Sequence, residues 1–394
     1  MRTRHIITAL IVAGCLALCA SQAQAADDAR LTELERKVDA LANRISEASG
    51  AAMVPDWVYN FKLKGDLRYR HEWIDMEDSA DRNRHRIRAR LGITGKVNDD
   101  VDVGLQFASG SDDPVSTNQT LDTSFTSKGL YLDLAYFDWH PAAAEGFHLM
   151  GGKVKNPFAE PVGNSDLIWD GDLRPEGMAA SYEADLSEDV SVALCGGGFY
   201  AEERSSGADT SLWGGQLALT LNVPDMEKTY VKIGGSYFDY GNIECRGPLV
   251  GGAAGNTTTA SGYAEDFDLI EGFAEIGMPV GDVPFRVFGD LVDNTAASND
   301  STGWLVGAGI GKCKKPGSWE LVYNYRRLEK DCVVGAFTDS DFGGGGTDGE
   351  GHKIGAGYQL AKNWKLGATL FVNEVPLSNS SDYRRLQVDL QFKF

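Results

Sequence analysis

The stretch Arg82-Asn83-Arg84-His85-Arg86-Ile87-Arg88-Ala89-Arg90 places an arginine at every second position, five times over. Arginine stays protonated and presents its donors in a planar fork, so it holds anions and sorts charge but does not move protons. Four acids lie further along the chain, Asp166, Asp170, Asp172 and Glu176. Charges of opposite sign brought face to face can select ions. Covalent and proton-transfer chemistry has less to work with. Beyond residue 25 the histidines are His71, His85, His140, His148 and His352; none forms HExxH, and no G-x-S-x-G elbow is present. An enzyme that assembles Ser and His across strands without a local motif is the rival reading. No catalytic, cofactor-binding or metal-ligating residue is assigned. Asp339, Asp341, Asp348 and Glu350 could hold Ca²⁺, but their spacing is not that of an EF-hand loop, and such a Gly/Asp stretch is expected to be flexible and solvated.

The elements that must position these charges count in twos. From Val58, Tyr59, Phe61, Leu63, Leu67 and Tyr69 alternate with Asn60, Lys62, Lys64, Asp66, Arg68 and Arg70. Successive strand side chains point to opposite faces, so one face is apolar and the other charged. The arginine row continues this, with Ile87, Ala89, Leu91 and Ile93 between the cations. Similar rows recur to the end of the chain and give sixteen expected strands. The fourth is Leu130, Leu132, Leu134 and Tyr136; the last is Leu386, Val388, Leu390, Phe392 and Phe394. Their connections alternate between short turns (Asn98 to Asp100, Ser187 to Asp189, Gly281-Asp282, Ala361 to Asn363) and long loops rich in Gly, Asp, Ser and Thr. The long loops are Ser109 to Ser127, Asn156 to Pro175, Gly241 to Asp266 and Leu328 to Glu350. That alternation points to an all-β chain, a transmembrane antiparallel β-barrel of about 16 strands over residues 58–394. A soluble sandwich or a solenoid would also alternate, but the first needs no alternating loop lengths and the second needs a fixed repeat. Trp57, Trp73, Trp139, Trp304, Trp319 and Trp364 fall near strand ends and suit aromatic girdles.

The first 57 residues differ. Arg2 and Arg4, the apolar run Ile6 to Ala20 and Ala23-Gln24-Ala25 read as a signal peptide over 1–25. Val12-Ala13-Gly14-Cys15 is a lipobox-like alternative that would lipidate Cys15. In residues 26–50, Leu31, Leu34, Val38, Leu41 and Ile45 space as an a/d seam, a short helix or coiled coil, with 51–57 as linker. The rival is one amphipathic helix lying on the rest of the protein. The full chain has a net charge of −20. Without the signal, 35 Lys and Arg stand against 57 Asp and Glu, a net of −22 that excludes nucleic acid as a partner. Four cysteines remain, Cys195, Cys245, Cys313 and Cys332, with no zinc spacing and room for one or two bridges.

Four stretches carry a resemblance: Gly110 to Asp122 (GSDDPVSTNQTLD), Gly151 to Phe158 (GGKVKNPF), Asp166 to Gly177 (DLIWDGDLRPEG) and Asp339 to Gly349 (DSDFGGGGTDG). They resemble a family of Gram-negative outer-membrane putative porins across most of 58–394. The resemblance implies a water-filled barrel, often trimeric, but names no solute. Cys332 stands where a small residue such as alanine is expected. The terminal strand, ending on Phe394, looks like the one that outer-membrane insertion machinery recognises.

Alternate strand residues lie about 6.6–6.8 Å apart, so the five arginines make a ladder of roughly 27 Å, the height of a membrane-facing band. Facing lipid, each midplane arginine would cost about 2–4 kcal/mol. The row must therefore face inward, and five stacked cations need water or counter-charge. The expected basic wall is Lys62, Lys64, Arg68, Arg70, Arg84, Arg86, Arg88 and Arg90. In trimeric porins the third external loop folds inside. By that analogy Asp166, Asp170 and Asp172, with Glu176 after them, would face Arg84 to Arg90 across a constriction for small hydrophilic solutes and ions. Two other arrangements are open: the loop stays outside, or the arginines pair along the wall with Asp66, Glu72 and Asp102. A non-conducting outer-membrane anchor, tied to a periplasmic partner through the coiled coil, is the alternative function.

Overall fold

The computed structural model describes residues 36–40, 59–158, 166–377 and 380–394. The chain divides into Met1–Asn60 and Phe61–Phe394. In the first unit residues 36–40 are helical, and Val38 of the expected seam is exposed there. Leu31, Leu34, Leu41 and Ile45, the expected signal peptide, Cys15 and Trp57 lie outside the described residues.

The second unit is a sheet closed on itself. Its strands are β1 Phe61–Met76, β2 Arg82–Asn98, β3 Val101–Ser109, β4 Leu130–Trp139, β5 Phe147–Lys153 and β6 Glu176–Ser187. Then come β7 Val190–Glu202, β8 Thr210–Asn222, β9 Tyr230–Gly241, β10 Phe267–Val280 and β11 Val283–Asn294. The last five are β12 Thr302–Gly311, β13 Trp319–Leu328, β14 Gly349–Ala361, β15 Trp364–Glu374 and β16 Asp382–Lys393. Each strand pairs antiparallel with its chain neighbours, and β16 pairs back onto β1, leaving no edge in the closed sheet. No described helix is long and apolar enough to cross a membrane. The sixteen expected strands are these sixteen, except that Tyr59 precedes β1 in a helical turn.

The apolar rows face out. Leu63, Leu67, Leu91, Leu105, Ile270, Ile276, Val287, Val306, Leu321 and Ile354 are all exposed large hydrophobics on the outer wall. Trp139 meets Phe147 edge-on and Trp364 stacks on Phe392 at the short-turn end, while Trp304 lies against Tyr325 toward the other end. The fourth row departs from its expected parity. The β3–β4 register slips so that Phe107 opposes Leu132 and Gln106 opposes Leu134, which leaves Asp133 as a bulge. Leu134 and Tyr136 therefore turn inward, and Phe137 and Trp139 take the outer face. The bulged Asp133 is held by Gln106 and lies 3.5 Å from Arg174, two partners far away in sequence.

Closure between β1 and β16 depends on a glycine. Gly65 N–H donates to the Phe394 carbonyl (2.8 Å) and Phe394 N–H donates back (3.0 Å). A Cβ at Gly65 would lie 2.3 Å from the Phe394 ring and 2.8 Å from the Arg90 carbonyl. The ring can swing aside, but the carbonyl belongs to the β2 ladder and cannot. Gly65→Val is expected to destabilise the barrel by about 1–3 kcal/mol, the usual range for overpacking. The check is the midpoint of urea unfolding in lipid vesicles, and an unchanged midpoint would show that the seam relaxes freely.

The four cysteines are free, so the bridges that their number allowed are not formed. Cys332 is fully buried, and its Sγ lies 3.1 Å from where a Cβ on Gly303 would be. The thiol occupies the space which that glycine leaves.

Candidate functional site

Inside the barrel the arginine row meets a second row from β1. Their register sets Arg68 opposite Arg88 and Arg70 opposite Arg86. Like charges directly opposite destabilise a sheet, so carboxylates must be interleaved, and they are. Arg88 donates to Asp66 (2.7 Å) and Arg84 to Glu72. Arg70 grips Asp389 of β16 with two bonds (2.7 and 2.8 Å) and reaches Asp341 at 3.0 Å. Glu72, fully buried, also accepts from Arg385 and Gln387. Wall pairing through Asp66 and Glu72 thus occurs; Asp102 instead lies 3.7 Å from His140.

Two loops project into the interior between these rows and the opposite wall. In the first, of which residues 154–158 and 166–175 are described, the neck is closed by Val154 N–H donating to the Pro175 carbonyl (2.9 Å). Its Leu167, Ile168, Trp169 and Leu173 are buried. Trp169 packs edge-on against Phe238 of β9 (5.1 Å), and Phe158 against both Phe238 (5.0 Å) and Phe199 of β7 (6.0 Å). Gly214 of β8 makes room: a Cβ there would stand 2.7 Å from both Phe158 and Phe238. An aromatic cluster thus fixes the loop to the β7–β9 wall and leaves its acids on the side away from that wall.

The four acids separate in their partners. Asp172 pairs with Arg90 and also accepts from Thr117 N–H (3.0 Å) and hydroxyl (2.8 Å). Asp166 pairs with Lys353 of β14 (2.8 Å) rather than with the arginine row. Among the described residues Asp170 accepts only from backbone N–H groups, of Ser340 (2.9 Å) and Asp172 (2.7 Å). Glu176 stays at the start of β6 on Lys153 (2.6 Å), away from the others. Among the cations, Arg86 has only neutral acceptors within the described residues, Ser116 Oγ (3.4 Å) and the Asn118 carbonyl (3.2 Å). Lys62 and Lys64 are exposed at the beginning of β1 and belong to no ion pair among the described residues.

Residues 329–348 are the second inward loop, and here the flexible, solvated stretch expected around Asp339 and Asp341 is corrected. Asp339 is buried between Arg326 (2.6 Å) and Lys353 (2.9 Å), and Asp341 bridges Arg385 (2.6 Å) and Arg70 (3.0 Å). Burying these cations made the loop's carboxylates necessary. The two loops join where Asp170 N–H donates to the Phe337 carbonyl (2.8 Å) and Ser340 N–H to Asp170. Asn256, from residues 242–266, donates to the Lys330 and Val333 carbonyls (2.7 and 2.8 Å) and accepts from Gly335 N–H (2.8 Å). No group of three or more His, Cys, Asp or Glu among the described residues could hold a metal. Arg326, Lys353, Arg385 and Asp389 were not singled out from the sequence, although each flanks an outward residue of its strand and the same alternation finds them.

The loop acids respond to this setting. Burial resists ionisation of Asp172, but Arg90 and the Thr117 donors hold its carboxyl well below the usual range. Burial likewise opposes Asp339, which Lys353 and Arg326 bring down to about 2. Asp170 goes the other way. Burial, then Asp339 and Asp172, push it well above its ordinary value. A cavity of about 810 Å³ at the long-loop end is lined by Arg82, Arg84, Arg86 and Arg385. A cleft of about 130 Å³ is lined by Arg68, Arg88, Asp166, Asp170, Asp172 and Lys353. Arg84 and Arg86 of the row thus border the first, and Arg88 the second.

The fold is similar to that of Pseudomonas putida OprB in a high-pH structure, with TM-score 0.57 and 10% identity over 85% of this chain and 94% of that one. It is also similar to Salmonella typhi OmpF in complex with daunomycin, at 0.52 and 12% over 85% and 97%. A triple mutant of the Rhodopseudomonas blastica porin gives 0.50 and 14% over 85% and 100%. At these identities the likeness is one of fold. No curated protein matches the chain in sequence. The sequence profile described as putative porin matches residues 73–269 and 272–394, nearly the whole barrel, and the chain belongs to that family.

Proposed function

We propose that the barrel is a passive diffusion channel of a Gram-negative outer membrane, carrying ions and small hydrophilic solutes along its basic wall and past the acids of residues 166–172. One observation carries the reading: the row Arg84 to Arg90 runs along the inner wall from the cavity at the long-loop end to the cleft. Cations stacked inside a barrel need water beside them, and charges lining a narrow aqueous passage set its selectivity. With sixteen strands both termini fall on the short-turn side, which this reading assigns to the periplasm. The body is expected to assemble as a homotrimer, and the strand ending on Phe394 to be read by the insertion machinery. The sequence before the barrel is expected to supply a leader and then a periplasmic helical segment.

The test is ion selectivity in planar bilayers. Replacing Arg86 and Arg88 with glutamine removes two positive charges and leaves Asp66 without its partner. An interior charge in water-like surroundings is worth about 1 kcal/mol to a passing ion at 4 Å. The ratio of anion to cation permeability is therefore expected to fall several-fold, with a matching shift of reversal potential across a salt gradient. An unchanged reversal potential would sink the role of the arginine row. Absence of any conductance in the unaltered protein would favour the non-conducting anchor.

A further inference from the structure

Charge pairing around the cleft is nearly complete and fails at two points that face the same space. Arg88 has Asp66, Asp172 has Arg90, and Asp166 has Lys353. Among the described residues Arg68 has no carboxylate of its own. The nearest, Asp389, is 3.9 Å away and is held by both of its oxygens on Arg70. Arg68 donates instead to the neutral Asn118 side chain, and its buried Nε has no partner. Asp170, across the cleft, accepts from two backbone N–H groups and pairs with no cation among the described residues. An unmatched guanidinium and an unmatched carboxylate thus line one cleft of about 130 Å³, whose one aliphatic side chain among the described residues is Val115.

Resting on the channel reading above, we propose that this cleft binds a small zwitterion, a molecule with one carboxylate and one ammonium group and no large apolar side chain. The carboxylate sits on Arg68, where a fork of N–H donors suits two oxygens. The ammonium sits beside Asp170 and offsets the burial and the repulsion from Asp339 and Asp172 that raise this carboxyl, so that it ionises in the complex. A simple anion gains Arg68 but meets this carboxylate group, and a simple cation meets Arg68, Arg88 and Lys353. Only a dipolar solute satisfies both ends, and the volume suits one the size of glycine.

The experiment is calorimetric titration of the purified full-length protein with glycine, acetate, methylammonium and leucine at one pH and ionic strength. Glycine is expected to bind saturably and at least tenfold more tightly than the other three. Asp170→Asn and Arg68→Gln are each expected to weaken glycine binding at least tenfold. Acetate binding as tightly as glycine would reduce the site to an anion site and overturn the proposal, as would non-saturable glycine binding. The wild-type comparison decides the matter even where a variant fails to fold. Because binding is read without ion flow, the two readings fail separately. Conductance without glycine binding overturns this inference alone, and glycine binding without conductance overturns the channel reading alone.

Discussion

Excising residues 166–173 and joining the flanks with a short Gly-Ser link is expected to raise single-channel conductance on the order of twofold or more and to shift selectivity toward anions. The segment carries Trp169 and Leu173 into the interior and, through Asp172 and Asp166, touches β2 and β14 at once. It therefore spans the space that ions would cross. Removing it widens the passage and deletes three carboxylates, and both effects act at the same point. The wall should survive. Every strand keeps its ladder, Lys353 keeps Asp339, and Arg90 keeps the Thr117 hydroxyl (2.7 Å). The cost falls on Phe238 and Tyr240, whose rings lose the Trp169 contact and meet water. Conductance that stays the same, with selectivity shifted, would place the limiting aperture at residues 329–348 instead. If neither changed, the loop would not border the route at all.

How much of this was legible in advance follows from the range over which each feature is decided. Strand number and facing are local. An apolar row at period two, bounded by Asn, Asp and Gly, specifies its own strand, and the Ile87–Ala89–Leu91 row told which way Arg86 and Arg88 point. The fourth row shows the limit of that logic. Leu130, Leu132, Leu134 and Tyr136 keep period two, yet the strand bulges at Asp133, because Gln106 on the adjacent strand and Arg174 on a remote loop hold that side chain. Nothing within ten residues of Asp133 signals those partners. The same holds for only some of the ion pairs. Charge alternation says that Arg70 and Arg84 face inward. Glu72 was within reach of that logic, because it faces Arg84 on the neighbouring strand of one hairpin, but Asp389 was not, since its pairing with Arg70 depends on register across the closure of the barrel. The stretch Gly343 to Gly346, with a positive φ throughout, reads as flexible chain. In fact the Asp339 and Asp341 before it are anchored by cations from β1, β13, β14 and β16. Flexibility inferred from glycine content says nothing about the charged residues beside it.

Glu72 is where the second large effect is expected, and it is an effect on stability. It stands on β1 between Arg84 of β2 and Gln387 of β16, so one carboxylate serves three strands at the seam where the barrel closes. It accepts from Arg84 Nε, from Arg385 Nε (2.9 Å) and from Gln387 Nε2 (3.1 Å), and none of its surface is exposed. Removing one partner of a buried ion pair costs about 3–5 kcal/mol, because the other charge remains without compensation. Glu72→Ala leaves two such charges, but not equally. Arg385 keeps Asp341, whereas Arg84 has no other carboxylate among the described residues. Arg84 also borders the large cavity, where water reaches it, so the lower part of the range applies. The unfolding midpoint in lipid vesicles should fall accordingly, and Glu72→Gln, which keeps an acceptor, should fall less. Combining Glu72→Ala with Arg84→Gln should recover part of the loss, since deleting both members of a pair is milder than orphaning one. Strict additivity of the two substitutions would mean that the Glu72–Arg84 contact contributes nothing, and that Arg385 alone explains why an acid lies buried at the seam.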